Sequence, residues 1–522
     1  MSVKRDPARW SLIALACMLL AVGNEAAWSQ STGPSSGSQG AAAGSPGAAA
    51  SCPAFRSWLT QPSLSFLSVD PSPPLCAFYQ YAWEAFLYLT HPAPGEKGAL
   101  TFETFAYVDN LAAPPGVTKT ALIPGAVRFV DKRTNRTRVF RLRGKKPADA
   151  FASDQAQTQD VLYDQAGNPT YYEQFLSPTA FDFIRSCDLY LSTCMPKSTA
   201  TTTAATATTT STTTPASTTA PAWVTNLRFP PGSIEIKVSW RVLPPGTPNA
   251  TTYYRVHGVT VVSGQPPVDL GLVGFHLVYA TSGHPEMVWA TFEHVDNAPS
   301  APSGTCPSNG VIAVKPPPGF TGWAYNSATR TNPQINCTSS VVDQPATSAP
   351  YTQAFRTNAY GSDLTMTSPT NGGKVNIETI ETLNVNVRKI LREGNSVWRH
   401  YFLLGAVWTG GGLPAVAAIP PNNQPLPPDT NANQIVAGST LLANATMETF
   451  TQSPYLNCGK IGGPQCFSCF TCHNDKSIAA PFGVSHAVGN SVRTATCPTE
   501  QPQACLATQQ NVQPVPAHST RP

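Results

Sequence analysis

The chain has 522 residues, a formal net charge of only +4, 12% charged side chains and 51 prolines. Charge is about half and proline about twice the usual share, which excludes a coiled-coil or long-helix protein. The small net charge argues against a nucleic-acid partner, and the one basic cluster, Lys132 to Lys146, reads as the solvated face of a hairpin.

In chain order, Lys4, Arg5 and Arg9 precede an apolar run from Ser11 to Gly23 and a small, polar stretch from Asn24 to Gln30. This is the layout of a secretory signal peptide, so residues 1–30 are expected to be removed on export. The apolar run is too short to span a bilayer comfortably, so the membrane is expected to be met only through the cleaved signal. Residues 31–51 form a flexible Gly/Ala/Ser linker. A first globular part, 52–196, opens with helical spacing over Pro74 to Thr90, where Phe78, Tyr81, Ala82, Ala85, Phe86 and Leu89 recur. Val127–Val130 and Thr137–Leu142 flank a polar turn and predict a hairpin. Residues 197–222, almost all Thr, Ala, Ser and Pro, read as a disordered insertion that need not separate domains.

The second globular part, 223–420, begins with an alternating strand, Ser233–Val242, whose Glu235, Lys237 and Ser239 read as an outer face. Leu270–Ala280 and Met287–His294 predict a second hairpin, and its register decides whether His276 and His294 share a face. Its end carries Glu293, His294, Asp296 and Asn297, readable as a polar site or as a turn. Residues 306–341 are rich in Gly and Pro and suggest a disulfide-closed loop. Helices are expected near Ile377–Glu393 and Ala437–Gln452. The expected fold is mainly β with several helices, an α+β arrangement. A β-rich N-terminal and central region precedes a short, partly helical segment and polar tail, 421–522.

Of 13 cysteines, Cys17 lies in the signal. The rest suggest disulfides in an oxidising compartment. Sequence neighbours give the pairs 52–76, 187–194, 306–337, 458–466 and 497–505, leaving Cys469 and Cys472 for another role. These two belong to Cys469-Phe-Thr-Cys472-His473, the c-type haem attachment pattern. Each thiol bonds one vinyl group of the haem, and the following imidazole, His473, becomes the proximal iron ligand. One haem c per chain is therefore the expected cofactor. Competing uses of these residues are a disulfide-rich tail, in which Cys466 pairs with Cys469, and a zinc cluster of Cys466, Cys469, Cys472 and His473. No methionine follows His473. A distal iron ligand would come from Met447 or His486 first, with Met366, Met287, His276, His294 and His400 as further candidates. An open sixth position remains a third arrangement.

Three segments carry a wider resemblance: Phe229 to Trp240, Val288 to Pro299, and Leu442 to Phe450 followed by the haem motif. Together they resemble exported bacterial proteins of the cytochrome c family, over most of residues 70–475. The resemblance implies one covalent haem near the C-terminus and a large N-terminal region whose role it does not supply. The expected function is a periplasmic monohaem c-type cytochrome working in electron transfer or redox chemistry with a redox partner protein. The alternatives are a haem-dependent oxidoreductase with an open iron position and a disulfide-rich exported binding or envelope protein without haem. Glu84 and His91, at the end of the first helix, read as a helix-terminus feature rather than a site.

Overall fold

A computed structural model describes residues 52–60, 75–111, 127–142, 161–194, 221–261, 264–281, 284–300, 309–314, 322–328, 331–332, 334–336, 353–356, 372–409, 436–439, 442–449, 469, 473, 485, 487 and 496–509. The signal peptide, the 31–51 linker, nearly all of the 197–222 stretch, and Cys306, Cys337, Cys458, Cys466, Cys472, Met366 and His486 lie outside these residues.

The helices are α1 (Ser57–Thr60), α2 (Leu75–Leu89), α3 (Pro178–Ser186), α4 (Gly372–Glu393) and α5 (Gln503–Gln509). The strands are β1 (Ala106–Tyr107), β2 (Val127–Asp131), β3 (Arg136–Leu142), β4 (Tyr171–Leu176), β5 (Ile234–Leu243) and β6 (Arg255–Val259). They continue with β7 (Val268–Thr281), β8 (His284–His294), β9 (Val311–Ala313), β10 (Gln334–Asn336), β11 (Tyr401–Thr409) and β12 (Val436–Gly438). Ten strands form one antiparallel sheet in the order β12-β11-β8-β7-β5-β4-β3-β2, with β1 on β4 and β6 on β7. Strands from both sides of the Thr/Ala-rich stretch share this sheet. The mainly β, α+β expectation holds, as do both hairpins and the helices α2 and α4.

One face of the sheet is apolar and aromatic. Val238, Phe275, Phe292 and Leu403 lie across β5, β7, β8 and β11 and are fully buried with α2 and α4. Phe86 of α2 stacks on Phe292 at 4.2 Å, and Trp83 meets the same ring edge-on at 4.9 Å. Burying such rings dominates core energetics. Asn384 of α4 is engaged at both ends of its amide: it accepts from Trp83 Nε1 (3.0 Å) and Leu403 N (2.9 Å) and donates to Leu403 O (2.8 Å).

The basic cluster is not simply a solvated face. Arg138 of β3 is 4% exposed and sits between two carboxylates, donating to Glu103 Oε1 (2.7 Å) and to Glu173 Oε2 (2.5 Å). Tyr107 donates to Glu173 Oε1 (2.6 Å), and Arg133 and Tyr254 both donate to Glu103 Oε1 (2.9 Å each). The Arg138 guanidinium also lies 4.8 Å from the Trp240 ring centroid. Burial works against its charge, but Glu173 and then Glu103 drive its pKa well above the ordinary value.

Two of the disulfide pairs differ from expectation. Cys52–Cys76 forms as read, but Cys187 joins Cys505 and Cys194 joins Cys497. The pairs 187–194 and 497–505 are therefore replaced by two long-range bridges. The physical reason lies in the local fold. After α3 the chain makes successive turns (Leu191 N to Asp188 O 2.9 Å, Cys194 N to Leu191 O 3.0 Å), and both buried sulfurs are covered by the C-terminal segment. The pairs 306–337 and 458–466 lie outside the described residues. Helix α3 itself carries a start signal that the sequence reading passed over, Ser177 followed by Pro178. The Ser177 hydroxyl accepts from Ala180 N and Pro178 takes the first helical position.

The hairpin register settles the histidine question. His276 pairs with Thr291, three residues from His294, so His276 and His294 lie on opposite faces. His294 is fully buried, stacks on Tyr253 at 3.9 Å, and bonds Thr252 O (3.2 Å) and Asp296 N (3.2 Å). Burial, then the neighbouring His400, push its pKa well below 6.5. Burial and Arg399 lower His400 to about 4. Both pKa values are depressed by the fold, so each ring's contribution to stability is complete above about pH 6.5 and is lost as pH falls, for His400 through about 4. Asp296 acts oppositely: burial raises it to about 6 from 3.8, so its contribution is lost as pH rises through about 6. His400→Gln is expected to reduce the acid-side fall in urea midpoint between pH 7 and 4. A midpoint profile parallel to wild type would exclude His400 as the responsible group.

Candidate functional site

The second face of the sheet carries Glu235, Lys237 and Ser239, and it is not an outer face. Glu235 is 7% exposed and Ser239 fully buried, because the chain after β12 returns across them. Three registered rows run across the strands. The first is Tyr172, Ser239, Gly274 and Glu293; the second is Gln174, Lys237, His276, Thr291 and Gly405; the third is Leu176, Glu235, Val278, Trp289 and Val407.

The first two rows hold the turn 444–449. Its sequence dictates its shape: Asn444 Oδ1 accepts from Thr446 N (2.9 Å), and Glu448 N returns to Asn444 O (2.9 Å). Ser239 and Thr446 share a hydroxyl hydrogen bond (2.7 Å), Tyr172 donates to Thr446 O (2.9 Å), and Ala445 N donates to Glu293 Oε1 (2.7 Å). Arg356 Nη2 closes the other Glu293 oxygen at 2.7 Å. Glycine is needed where the cover touches: a Cβ at Gly274 would overlap Thr446 Oγ1 and Ser239 Oγ and reach 3.0 Å from Met447 Cε. In the second row His276 bonds Thr291 Oγ1 (2.8 Å) and Glu448 Oε1 (2.5 Å). Burial opposes the charge of Glu448, but the His276 charge and hydrogen bond hold its carboxyl below the ordinary value.

This arrangement replaces the helix expected over Ala437–Gln452. Residues 436–438 pair with β11 instead, Gly438 takes φ +83°, and residues 444–449 form a turn.

The third row receives the haem motif. His473 N donates to Cys469 O at 2.9 Å, a bond between residues four apart that brings these two to one side. The His473 ring lies 4.1 Å from the Trp289 ring, tilted by 44°. Cys469 is half-buried against the large apolar cluster to which Trp289, Val278 and Val407 of this row belong. Ser485 donates to Glu235 Oε2 (2.7 Å), while burial raises the Glu235 pKa. The structure thus brings Cys469 and His473 together on the sheet. Met447 is 1% exposed but belongs to the first row, over Gly274. Cys472 and His486 lie outside the described residues. Of the hairpin-end residues, Glu293 holds Arg356 and the 444–449 turn, and Asn297 donates to Val273 O (2.6 Å). Sequence reading passed over Trp289 and the His276–Glu448 pair. The short Asn444-Ala-Thr446 turn signal was the available hint that the chain folds back there.

A haem is mostly apolar, and the cluster around Trp289 and Cys469 is an apolar wall with the motif's imidazole against it. These residues fit the group. Among the described residues, no three or more His, Cys, Asp or Glu side chains gather as a metal site. No helix of the described residues is long and apolar enough to cross a membrane. The three disulfides fit an exported protein. No family model matches the chain, and no curated protein and no solved structure matches it either.

Proposed function

We propose that the protein is a periplasmic monohaem c-type cytochrome that passes electrons to or from a redox partner protein. The observation that carries this reading is the hydrogen bond from His473 N to Cys469 O, which closes a turn, with the His473 imidazole on Trp289. A turn of this kind suits a Cys-x-x-Cys-His sequence, because positions three and four apart face one way. Cys469 and Cys472 hold the haem by thioether bonds, and His473 is the proximal iron ligand. The bound haem would supply one-electron chemistry at the iron. The chain's own residues would fix and shield it: Trp289 packs on the His473 ring, and the apolar cluster against which Cys469 is half-buried would keep water from that side. The turn 444–449, nailed to the first two rows, anchors the chain leading into the motif.

The test is expression with export and a covalent haem-attachment system, followed by a reduced-minus-oxidised spectrum and haem staining on a denaturing gel. Wild type is expected to retain haem on the gel. The double variant Cys469→Ser/Cys472→Ser is expected to lose it completely while keeping the disulfides at Cys187 and Cys194. A wild-type protein without haem, with all mature cysteines paired, overturns the cytochrome reading.

A further inference from the structure

Helix α4 lies on the aromatic face of the sheet, on the other side from the rows that receive Cys469 and His473. Its inner side is spent on the core: Ile380, Leu383, Val387 and Leu391 are buried with α2 and the strands. Its outer side carries a pattern that this packing does not explain. At about 100° per residue, Glu378, Glu381, Val385, Lys389 and Arg392 fall on one stripe along the helix. Glu381, Val385, Lys389 and Arg392 are exposed, and Glu378 is half-buried.

The stripe is symmetric about Val385. The residues four and seven positions before it are acidic, and those four and seven positions after it are basic. The helix macrodipole does not account for this, because it acts within the end turns and the first turn of α4 holds no acidic residue. Spacing along the helix does not pair the charges either: the position four after Glu381 and four before Lys389 is Val385 itself. Glu378 and Glu381 are like charges three apart, and burial and then Glu378 raise the Glu381 carboxyl above its ordinary value. Val385 is 61% exposed, and a β-branched residue does little for an exposed helix surface. A lone exposed apolar side chain is ordinary. One at the centre of a charge pattern that reverses about it is the signature of a surface that matches itself.

We propose that α4 is the interface of a homodimer, in which two copies of this helix pack antiparallel about a two-fold axis at Val385. Under such an axis each residue after the centre faces the residue the same distance before it on the other copy. Glu381 then faces the partner's Lys389, Glu378 faces the partner's Arg392, and symmetry repeats both pairs. Four and seven residues lie roughly 6 and 10 Å from the axis, a stretch over which helices crossing at about 20° stay side by side. Parallel packing would instead set like charges together. A groove of about 300 Å³ flanks the basic half, lined by two cations, Arg56 and Lys389, and one anion, Glu393. The partner's acidic half comes to lie there. One helix pair buries less than the roughly 1,200 Å² of a standard interface, so the dimer is weak and reversible. Nothing in this arrangement depends on the haem reading.

The experiment is sedimentation equilibrium of the full exported chain between roughly 1 µM and 1 mM, the window for weak association. Wild type is expected to dimerise. Raising the ionic strength from about 0.1 to 1 M shortens the screening length from roughly 10 to 3 Å and is expected to weaken the dimer about tenfold. Val385→Glu is expected to be monomeric, because it sets two like charges against each other at the axis. Glu378→Lys/Glu381→Lys makes the stripe wholly basic, and Lys389→Glu/Arg392→Glu makes it wholly acidic. Each of these is expected to be monomeric alone, and their equimolar mixture is expected to form a one-to-one dimer. A wild type that stays monomeric throughout the window, or a variant that dimerises alone, overturns the proposal. So does a mixture that fails to associate while both variants keep the wild-type melting temperature. If either charge variant does not accumulate, Val385→Glu decides: a monomer supports the interface and a dimer overturns it.

Discussion

Glu173→Ala is expected to destabilise the fold by about 3–5 kcal/mol, the range for breaking one side of a buried ion pair. Glu173 is fully buried and takes both Arg138 (Nη2 at 2.5 Å, Nε at 3.2 Å) and the Tyr107 hydroxyl. Its removal leaves a guanidinium that cannot give up its proton facing an empty space inside the protein. Glu103 compensates only in part, because Arg133 and Tyr254 already share its Oε1 atom. The paired replacement Arg138→Met/Glu173→Leu should recover much of the loss, since exchanging a whole buried ion pair for apolar side chains is often close to neutral. Urea unfolding of the two singles and the double gives the coupling directly. A single Glu173→Ala loss below about 1 kcal/mol, the size of a surface pair, would show that water reaches Arg138.

Breaking both C-terminal disulfides with Cys187→Ala/Cys194→Ala is expected to be the other large effect. The bridges span 318 and 303 residues. Chain entropy alone assigns about 6 kcal/mol to closing a ring of that size, with measured values on the order of 2–5. The two are nested, so they are not additive. Once one is closed, the other completes a ring of only roughly fifteen residues, for about 3 kcal/mol. Each single replacement should therefore lose less than half of what the double loses. Limited proteolysis is the sharper readout: the double variant should release α5 and the chain around it before the sheet is cut. Equal stability of the double variant and wild type would mean that packing of α5 on α3 holds the C-terminus unaided.

Local features were the legible ones. The Asp131–Arg136 turn between β2 and β3 and the aromatic spacing of α2 depend on neighbours in sequence, and both appear in the structure where the pattern puts them. The Cys469-Phe-Thr-Cys472-His473 spacing is also readable from neighbours alone, and the haem reading built on it is the proposal made above. The second face of the sheet was not legible. Glu235, Lys237 and Ser239 alternate as a solvated strand edge would, and the residues that bury them, Ser485 and Thr446, arrive more than 200 positions later. Arg138 misled for the same reason: nothing near it in sequence shows that Glu103 and Glu173 close on it. The disulfides failed on the assumption that near cysteines pair, whereas Cys187 and Cys194 are held by turns and capped by a distant helix.

The covered face has a consequence for the order of assembly. The strands from β2 to β11 are complete by residue 409, but the turn 444–449, Ser485 and the Cys469–His473 pair, which lie on their polar side, come after it. A chain emerging from its N-terminus must therefore hold a half-finished sheet, with Trp289, Met287 and Gly274 open to water, until its last 80 or so residues follow. Contacts of such separation in sequence form slowly, and the covalent closure at Cys187 and Cys194 can come only at the end. For that interval Cys469 and His473 have yet to meet the sheet face around Trp289. It is the one stage at which a bulky group could be fitted between them without prising the finished molecule apart.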